Sequence, residues 1–233
     1  MAASLSQRFT AEFAGSALLL ATVIGSGEMG ITLSGGNVAV ALLANALATG
    51  AILVVLITML EPISGAHLNP AVTVVFLARR DVSPKEALTY VLAQVSGAVV
   101  GVLLAHAMFD LAIVQLSQKA RSGGAQALSE WVATFGLVAT ILLTLRARRE
   151  ALATAVGLYI MAAYWFTAST SFANPAVTFA RALSDTFAGI RFADVPLFVV
   201  SQVAGAFCAL FFVHRLTGER RAEIPAPVQS PAE

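Results

Sequence analysis

Apolar residues along this chain fall into runs of membrane-spanning length, broken by short polar punctuation. The first run goes from Phe9 to Gly27 and meets the Gly25-Ser26-Gly27-Glu28 cluster, which reads as a turn. The second goes from Asn37 to Leu60 and stops at Glu61-Pro62. The third, Ala87 to Phe109, follows Ser83-Pro84-Lys85-Glu86, where Ser83 can cap a helix and Pro84 suits its first position. Runs four, five and six cover Leu128 to Leu145, Leu152 to Ala168 and Val195 to Leu216. A spanning helix needs about 20 mostly apolar residues, so the pattern predicts six spans. The runs do not alternate as the strands of a membrane barrel do. Ala71 to Ala78 and Ala176 to Leu183 are too short to cross, and each follows an Asn-Pro pair. With Asn as cap and Pro at the first helical position, each predicts a short re-entrant helix.

Composition removes the competing classes. Of 233 residues, 58% are hydrophobic and 12% charged, about half the charge of a typical soluble domain. Disorder requires the opposite balance. A net charge of +1 provides no footprint for nucleic acid. The single cysteine, Cys208, excludes a disulfide framework and a zinc cluster, and in the sixth span it reads as a small buried packing residue. With six spans, Arg8, Arg79, Arg80, Lys85, Arg146, Arg148, Arg149, Arg215, Arg220 and Arg221 share one side. Only Lys119, Arg121, Arg181 and Arg191 fall on the other, so the positive-inside rule places both termini in the cytoplasm. Met1 to Gln7 carries no basic residue of a signal peptide, and the proline-bearing segment 218–233 reads as a disordered cytoplasmic tail. Short loops without an N-glycosylation sequon fit a bacterial inner membrane.

An internal repeat joins the two short segments. Asn69-Pro70-Ala71-Val72-Thr73 recurs letter for letter as Asn174-Pro175-Ala176-Val177-Thr178. Glu12-Phe13 in the first span matches Glu130-Trp131 in the fourth, and Gln94-Val95-Ser96-Gly97-Ala98 matches Gln202-Val203-Ala204-Gly205-Ala206. Repeats of three spans each (about 10–110 and 128–217) must enter from opposite faces, which makes an inverted-topology repeat in one membrane domain, 1–233. The half-helix N-termini then meet near the midplane. Each presents unpaired N–H groups and about half a positive charge, which repels cations and protons.

These twin Asn-Pro-Ala segments, the stretch Ser64-Gly65-Ala66-His67-Leu68 leading into the first, and the paired glutamates resemble the aquaporin, or major intrinsic protein, family over Thr10 to Thr217. The resemblance implies an all-α membrane protein of six transmembrane helices plus two re-entrant half-helices, a pore in each subunit and a homotetramer. It implies pore roles for Asn69, Pro70, Ala71, Asn174, Pro175 and Ala176, and an inner-mouth position for His67. It gives Glu12 and Glu130 a structural role, accepting hydrogen bonds from the loops that lead into the half-helices. The family's filter maps by spacing from the motifs onto Thr49, Ala162, Ser171 and Val177. Most relatives carry an aromatic at the first of these positions and an arginine at the last. Threonine and valine here imply a wide, half-apolar filter lacking arginine, similar to that of bacterial relatives associated with arsenic resistance. Glycerol-like polyols, neutral metalloid hydroxides or methylated arsenicals, and water are the expected solutes.

Arg181, one turn beyond Val177, has Asp185 four residues on and is expected to pair with it. His106 and His214 have no carboxylate or cysteine at ligand spacing, so neither metal nor cofactor is expected, and no nucleophile motif suggests an enzyme. Ala93, Gly97, Gly101 and Ala105, with Ser201, Gly205 and Ala209, form small-residue stripes for close helix packing. Inverted repeats with broken helices also describe proton-coupled secondary transporters, for which intramembrane Glu12 and Glu130 are the candidate relay groups.

Overall fold

A computed structural model describes residues 3–218. The predicted tail and the basic residues Arg220 and Arg221 lie outside that range. The described residues form eight α-helices and no strand: α1 (Leu5–Leu33), α2 (Val38–Ser64), α3 (Pro70–Arg79), α4 (Pro84–Met108), α5 (Gly124–Ala147), α6 (Leu152–Phe166), α7 (Pro175–Arg181) and α8 (Val195–Thr217). Five of these are long and apolar enough to cross a membrane. The sixth, α6, has 15 residues, about 22 Å of helix, and a short 3-10 turn, Arg149–Ala151, precedes it. The protein is a multi-pass integral membrane protein.

Local chemistry sets most of the helix starts. Ser4 with Gln7 and Ser83 with Glu86 make reciprocal capping boxes, and the Asn37 side chain accepts from Ala39 and Val40 N–H. Asn69 and Asn174 cap α3 and α7 with Pro at the first helical position. Two boundaries differ from the sequence reading. α1 runs straight through the glycine cluster read as a turn, because those glycines serve packing. A Cβ on Gly25 would stand 3.0 Å from the Phe109 ring and one on Gly27 3.5 Å from the Phe187 ring; one on Gly30, just beyond the cluster, would stand 3.0 Å from the Ala41 carbonyl oxygen of α2. Ser26 donates back to Thr22 O at 2.6 Å, so its hydroxyl does not compete with the helix. α2 likewise absorbs Pro62 and ends at Gly65, whose φ of +88° suits glycine alone.

The two halves pack alike. α1 lies on α2 and α4, α5 lies on α6 and α8, and α2 crosses α6 to join them. Small residues make each crossing possible. A Cβ on Gly97 would reach 2.2 Å from Phe13 O, and one on its repeat partner Gly205 would reach 2.3 Å from Trp131 O. Gly50 and Gly157 meet at the α2–α6 crossing, each leaving its Cβ position 2.7 Å from the other's carbonyl oxygen. In lipid, where the solvent is as apolar as the side chains, such close backbone contact provides the packing force. Cys208 is exposed rather than buried: the buried stripe of α8 is Gln202, Gly205, Ala206, Ala209 and Val213, and Cys208 lies off that face.

Replacing Gly101 tests this packing, since a Cβ there would stand 2.1 Å from the Ala17 carbonyl oxygen. Gly101→Val is expected to destabilise by about 1–3 kcal/mol or more, read as a lower thermal midpoint in detergent. Gly124→Ala, with nothing within 4 Å of the new Cβ, should leave the midpoint unchanged; equal midpoints for both variants would contradict the packing described.

Candidate functional site

The site begins with backbone. Residues 65–68 and 170–173 bring the chain from a span to a half-helix without helical hydrogen bonds, and most of them are buried. Five of them have left-handed φ angles without being glycine: Ala66 (+48°) and Leu68 (+50°) in the first loop, Thr170 (+62°), Ser171 (+50°) and Ala173 (+49°) in the second. Ala66 and Leu68 repeat as Ser171 and Ala173, and Thr170 repeats the left-handed Gly65 (+88°). Each such residue costs on the order of 1–3 kcal/mol unless its surroundings hold it.

Buried carboxylates hold these loops. Glu12 of α1 accepts from His67 N–H (2.9 Å), Leu68 N–H (2.7 Å), the Ser64 hydroxyl (2.7 Å) and the Gln94 amide (2.7 Å). Glu130 of α5 accepts from Phe172 N–H (2.9 Å), Ala173 N–H (2.8 Å) and the Gln202 amide (2.6 Å). Each glutamine also donates to the threonine of its own motif, Gln94 to Thr73 at 3.0 Å and Gln202 to Thr178 at 2.8 Å. The repeat aligned the glutamines without giving them a role, and the shared sequence position was the available signal.

The two half-helices are then tied to each other. The Asn69 amide donates to Ala173 O at 2.8 Å, and the Asn174 amide donates to Leu68 O at 2.8 Å. The Asn69 side-chain oxygen accepts from Ala71 N–H at 2.9 Å; that of Asn174 accepts from Ala176 at 3.0 Å and Val177 at 3.3 Å. An amide NH2 carries two donors, so one N–H on each asparagine is left for the cavity that both line. Pro70 and Ala71 are buried at the start of α3, and Ala176, following Pro175, is buried at the start of α7.

That cavity, of about 240 Å³, runs past both asparagines and is walled largely by aliphatic side chains. Toward one end stand Glu61, His67 and Arg149, where Arg149 forms an ion pair with Glu61. His67 Nδ1 lies 3.2 Å from the Thr73 hydroxyl, and its ring packs on Phe76 and Tyr90. Thr49, Ser171 and Val177 also line the cavity. Ala162 does not: it is exposed on another face of α6, and the wall is the four-residue stripe Leu152, Val156, Ile160, Tyr164. The residue of α6 beside Thr49 is therefore Tyr164, ten positions before Asn174 rather than twelve, and the two hydroxyls lie 3.2 Å apart. The four-residue stripe was legible in the sequence and would have excluded Ala162.

Arg181 also departs from expectation. It makes no ion pair with Asp185, whose carboxylate instead accepts from Gln118 N–H at 2.9 Å. α7 ends at Arg181, so Asp185 is not carried one turn further along the same helix. Arg181 is 2% exposed, donates to Ala188 O, stacks on Phe172 with its guanidinium carbon 3.4 Å from the ring centroid, and lines the cavity. The cavity is therefore not free of arginine. Among the described residues no group of His, Cys, Asp and Glu is arranged to hold a metal ion.

Comparison with known proteins decides the family. The model of the family described as Major intrinsic protein matches residues 1–164 and 147–231. The chain belongs to the major intrinsic protein family. It is 56% identical over 206 residues to the aquaglyceroporin AqpS of Rhizobium meliloti (strain 1021), covering 88% of each chain. It is 29% identical over 246 residues to aquaporin AqpM of Methanothermobacter marburgensis, covering 93% of this chain and 99% of the relative. Among solved structures, the aquaglyceroporin from Plasmodium falciparum superposes with a TM-score of 0.71 at 19% identity, over 92% of this chain and 97% of that one. At that identity the likeness shows the aquaporin fold alone.

Within this family member the carboxylate brace is directly testable. Glu12→Ala leaves two backbone N–H groups, the Ser64 hydroxyl and the Gln94 amide without their acceptor, a loss on the order of 3 kcal/mol or more. Thermal unfolding in detergent should show a large fall for Glu12→Ala and a smaller one for Glu12→Gln, which keeps one oxygen. Equal stability of wild type and Glu12→Ala would refute the brace.

Proposed function

We propose that the protein is a passive transmembrane channel for small uncharged solutes: glycerol-like polyols, neutral metalloid hydroxides or methylated arsenicals, and water. The observation that carries this reading is the chemistry of the cavity wall. Single N–H donors of Asn69 and Asn174 and the hydroxyls of Thr49, Tyr164 and Ser171 are set along an aliphatic surface. A polyol or metalloid hydroxide presents a polar edge to such donors and an apolar face to the aliphatic wall. The neighbouring helix N-termini of α3 and α7 oppose cations. Thr49 and Val177 replace bulky groups and open the filter, while Tyr164 returns part of that width from the α6 side. The filter set proposed is Thr49, Tyr164, Ser171 and Val177.

Several coarser points support it. A relative 56% identical is an aquaglyceroporin, and members of that kind are channels rather than enzymes. The proton-coupled alternative needs Glu12 or Glu130 to exchange protons with the pathway. Both are fully buried, neither lines the cavity, and their oxygens are occupied by three or four donors each. Rows of exposed apolar side chains such as Leu43, Leu47, Val55, Leu88 and Leu92 suit a lipid-facing surface. We further propose a homotetramer in a bacterial inner membrane with both termini cytoplasmic. His67, Glu61 and Arg149 would then border the inner mouth.

Purified protein in liposomes, followed by light scattering, should pass glycerol and urea as well as water. Val177→Arg adds bulk and charge to the filter and should slow glycerol by about tenfold while slowing water less. Liposomes impermeable to every neutral solute would overturn the reading.

A further inference from the structure

Three cations gather at the Tyr164 end of the cavity, and none is in an ion pair among the described residues. Arg121, from the segment joining the two halves, is 8% exposed and donates to Gly189 O (2.8 Å), Ser169 O (3.1 Å) and the Thr170 hydroxyl (3.5 Å). Its guanidinium carbon is 4.9 Å from the Phe172 ring centroid, so Phe172 contacts the guanidinium groups of both Arg121 and Arg181. Lys119 donates to Phe187 O at 2.5 Å and lies 4.6 Å from that ring centroid. Burial, followed by repulsion from Arg121 and Arg181, pushes the Lys119 ammonium down to about 8.

The nearby carboxylates are engaged elsewhere. Asp194 accepts from Arg121 N–H and from Arg191, Asp185 from Gln118 N–H, and Glu130 from the second re-entrant loop. Carbonyl oxygens and an aromatic face offset part of the cost of burying Arg181. Its donors are not exhausted: of the five N–H groups of a guanidinium, Nε–H goes to Ala188 O and a further one goes to the Tyr164 hydroxyl. Lining the same cavity, and next in the chain to the Phe172 on which Arg181 stacks, the Ser171 hydroxyl is 3% exposed and has no hydrogen-bond partner. A buried hydroxyl without a partner is costly unless a visiting group satisfies it.

We propose that this end of the cavity is a binding site for a small oxyanion of carboxylate type, held by the Arg181 guanidinium and the Ser171 hydroxyl. Such an anion suits the forked guanidinium geometry and accepts the Ser171 proton. It binds without crossing, because the aliphatic wall of Val23, Val156 and Ile160 offers nothing to replace its water. Bound there, it blocks neutral solutes. The block rests on the channel reading above, whereas the binding does not.

The test uses the full chain and sodium formate as probe, against sodium gluconate at equal ionic strength as an anion too large for the site. Formate should raise the thermal midpoint of the detergent-purified protein and should reduce glycerol flux in liposomes saturably, and gluconate should do neither. Arg181→Gln should weaken formate by about tenfold or more in both readouts; Arg181→Lys, which keeps a charge but not the fork, should weaken it less. Should Arg181→Gln fail to fold, Ser171→Ala removes the second contact and is expected to weaken formate several-fold. A formate shift of the midpoint in a protein that passes no glycerol would keep the site and remove the channel. No formate effect on the wild-type midpoint or flux, or an equal effect in Arg181→Gln, would overturn the site.

Discussion

Everything in this structure depends on satisfying irregular backbone at membrane depth. Hydrocarbon offers no hydrogen bonds, so a chain that leaves helical geometry there must find its partners within the protein. Here the partners are two carboxylates. Glu12 and Glu130 collect the N–H groups of His67, Leu68, Phe172 and Ala173, and Gln94 and Gln202 bridge each carboxylate to the threonine of the following half-helix. Left-handed backbone at Ala66, Leu68, Ser171 and Ala173 is tolerated because these bonds hold it. Removing the carboxylate would leave both the strain and the orphan donors.

With the loops held, the asparagines are left with a limited task. Each closes its own half-helix with its oxygen and ties to the opposite loop with one amide proton, leaving one proton for the lumen. The resulting cavity has neutral amide donors where the two asparagines face it, an aliphatic wall, the Glu61–Arg149 ion pair toward one end and Arg181 without an ion pair beside Tyr164. That combination favours oxygen-bearing neutral molecules and opposes cations. The cation beside Tyr164 lacks the carboxylate partner that Arg149 has in Glu61.

Much of this was legible in the sequence because symmetry made it so. An exact five-residue repeat placed the half-helices, and the alignment around it paired Glu12 with Glu130 and Gln94 with Gln202. What escaped was what symmetry does not govern. Counting back from Asn174 leads to Ala162, whereas the α6 wall is the four-residue stripe Leu152, Val156, Ile160 and Tyr164. Arg181 was assigned to Asp185 by helical spacing, which failed because α7 stops at Arg181. The glycine cluster of α1 reads as a turn because sequence alone does not distinguish a glycine that bends a chain from one that admits a neighbour, here the Phe109 ring against Gly25. The same ambiguity, in reverse, assigned Cys208 to the core of a helix whose buried face lies elsewhere.

The central claim is that this braced pair of half-helices encloses a fixed passage rather than a site that alternates between two faces. The most direct measurement is initial glycerol flux into liposomes across a wide range of glycerol gradients, with and without an imposed pH gradient. A fixed passage predicts flux proportional to the glycerol gradient and indifferent to the proton gradient. Saturation at low glycerol, with flux driven by the proton gradient, would contradict it and return Glu12 and Glu130 to the role of proton carriers.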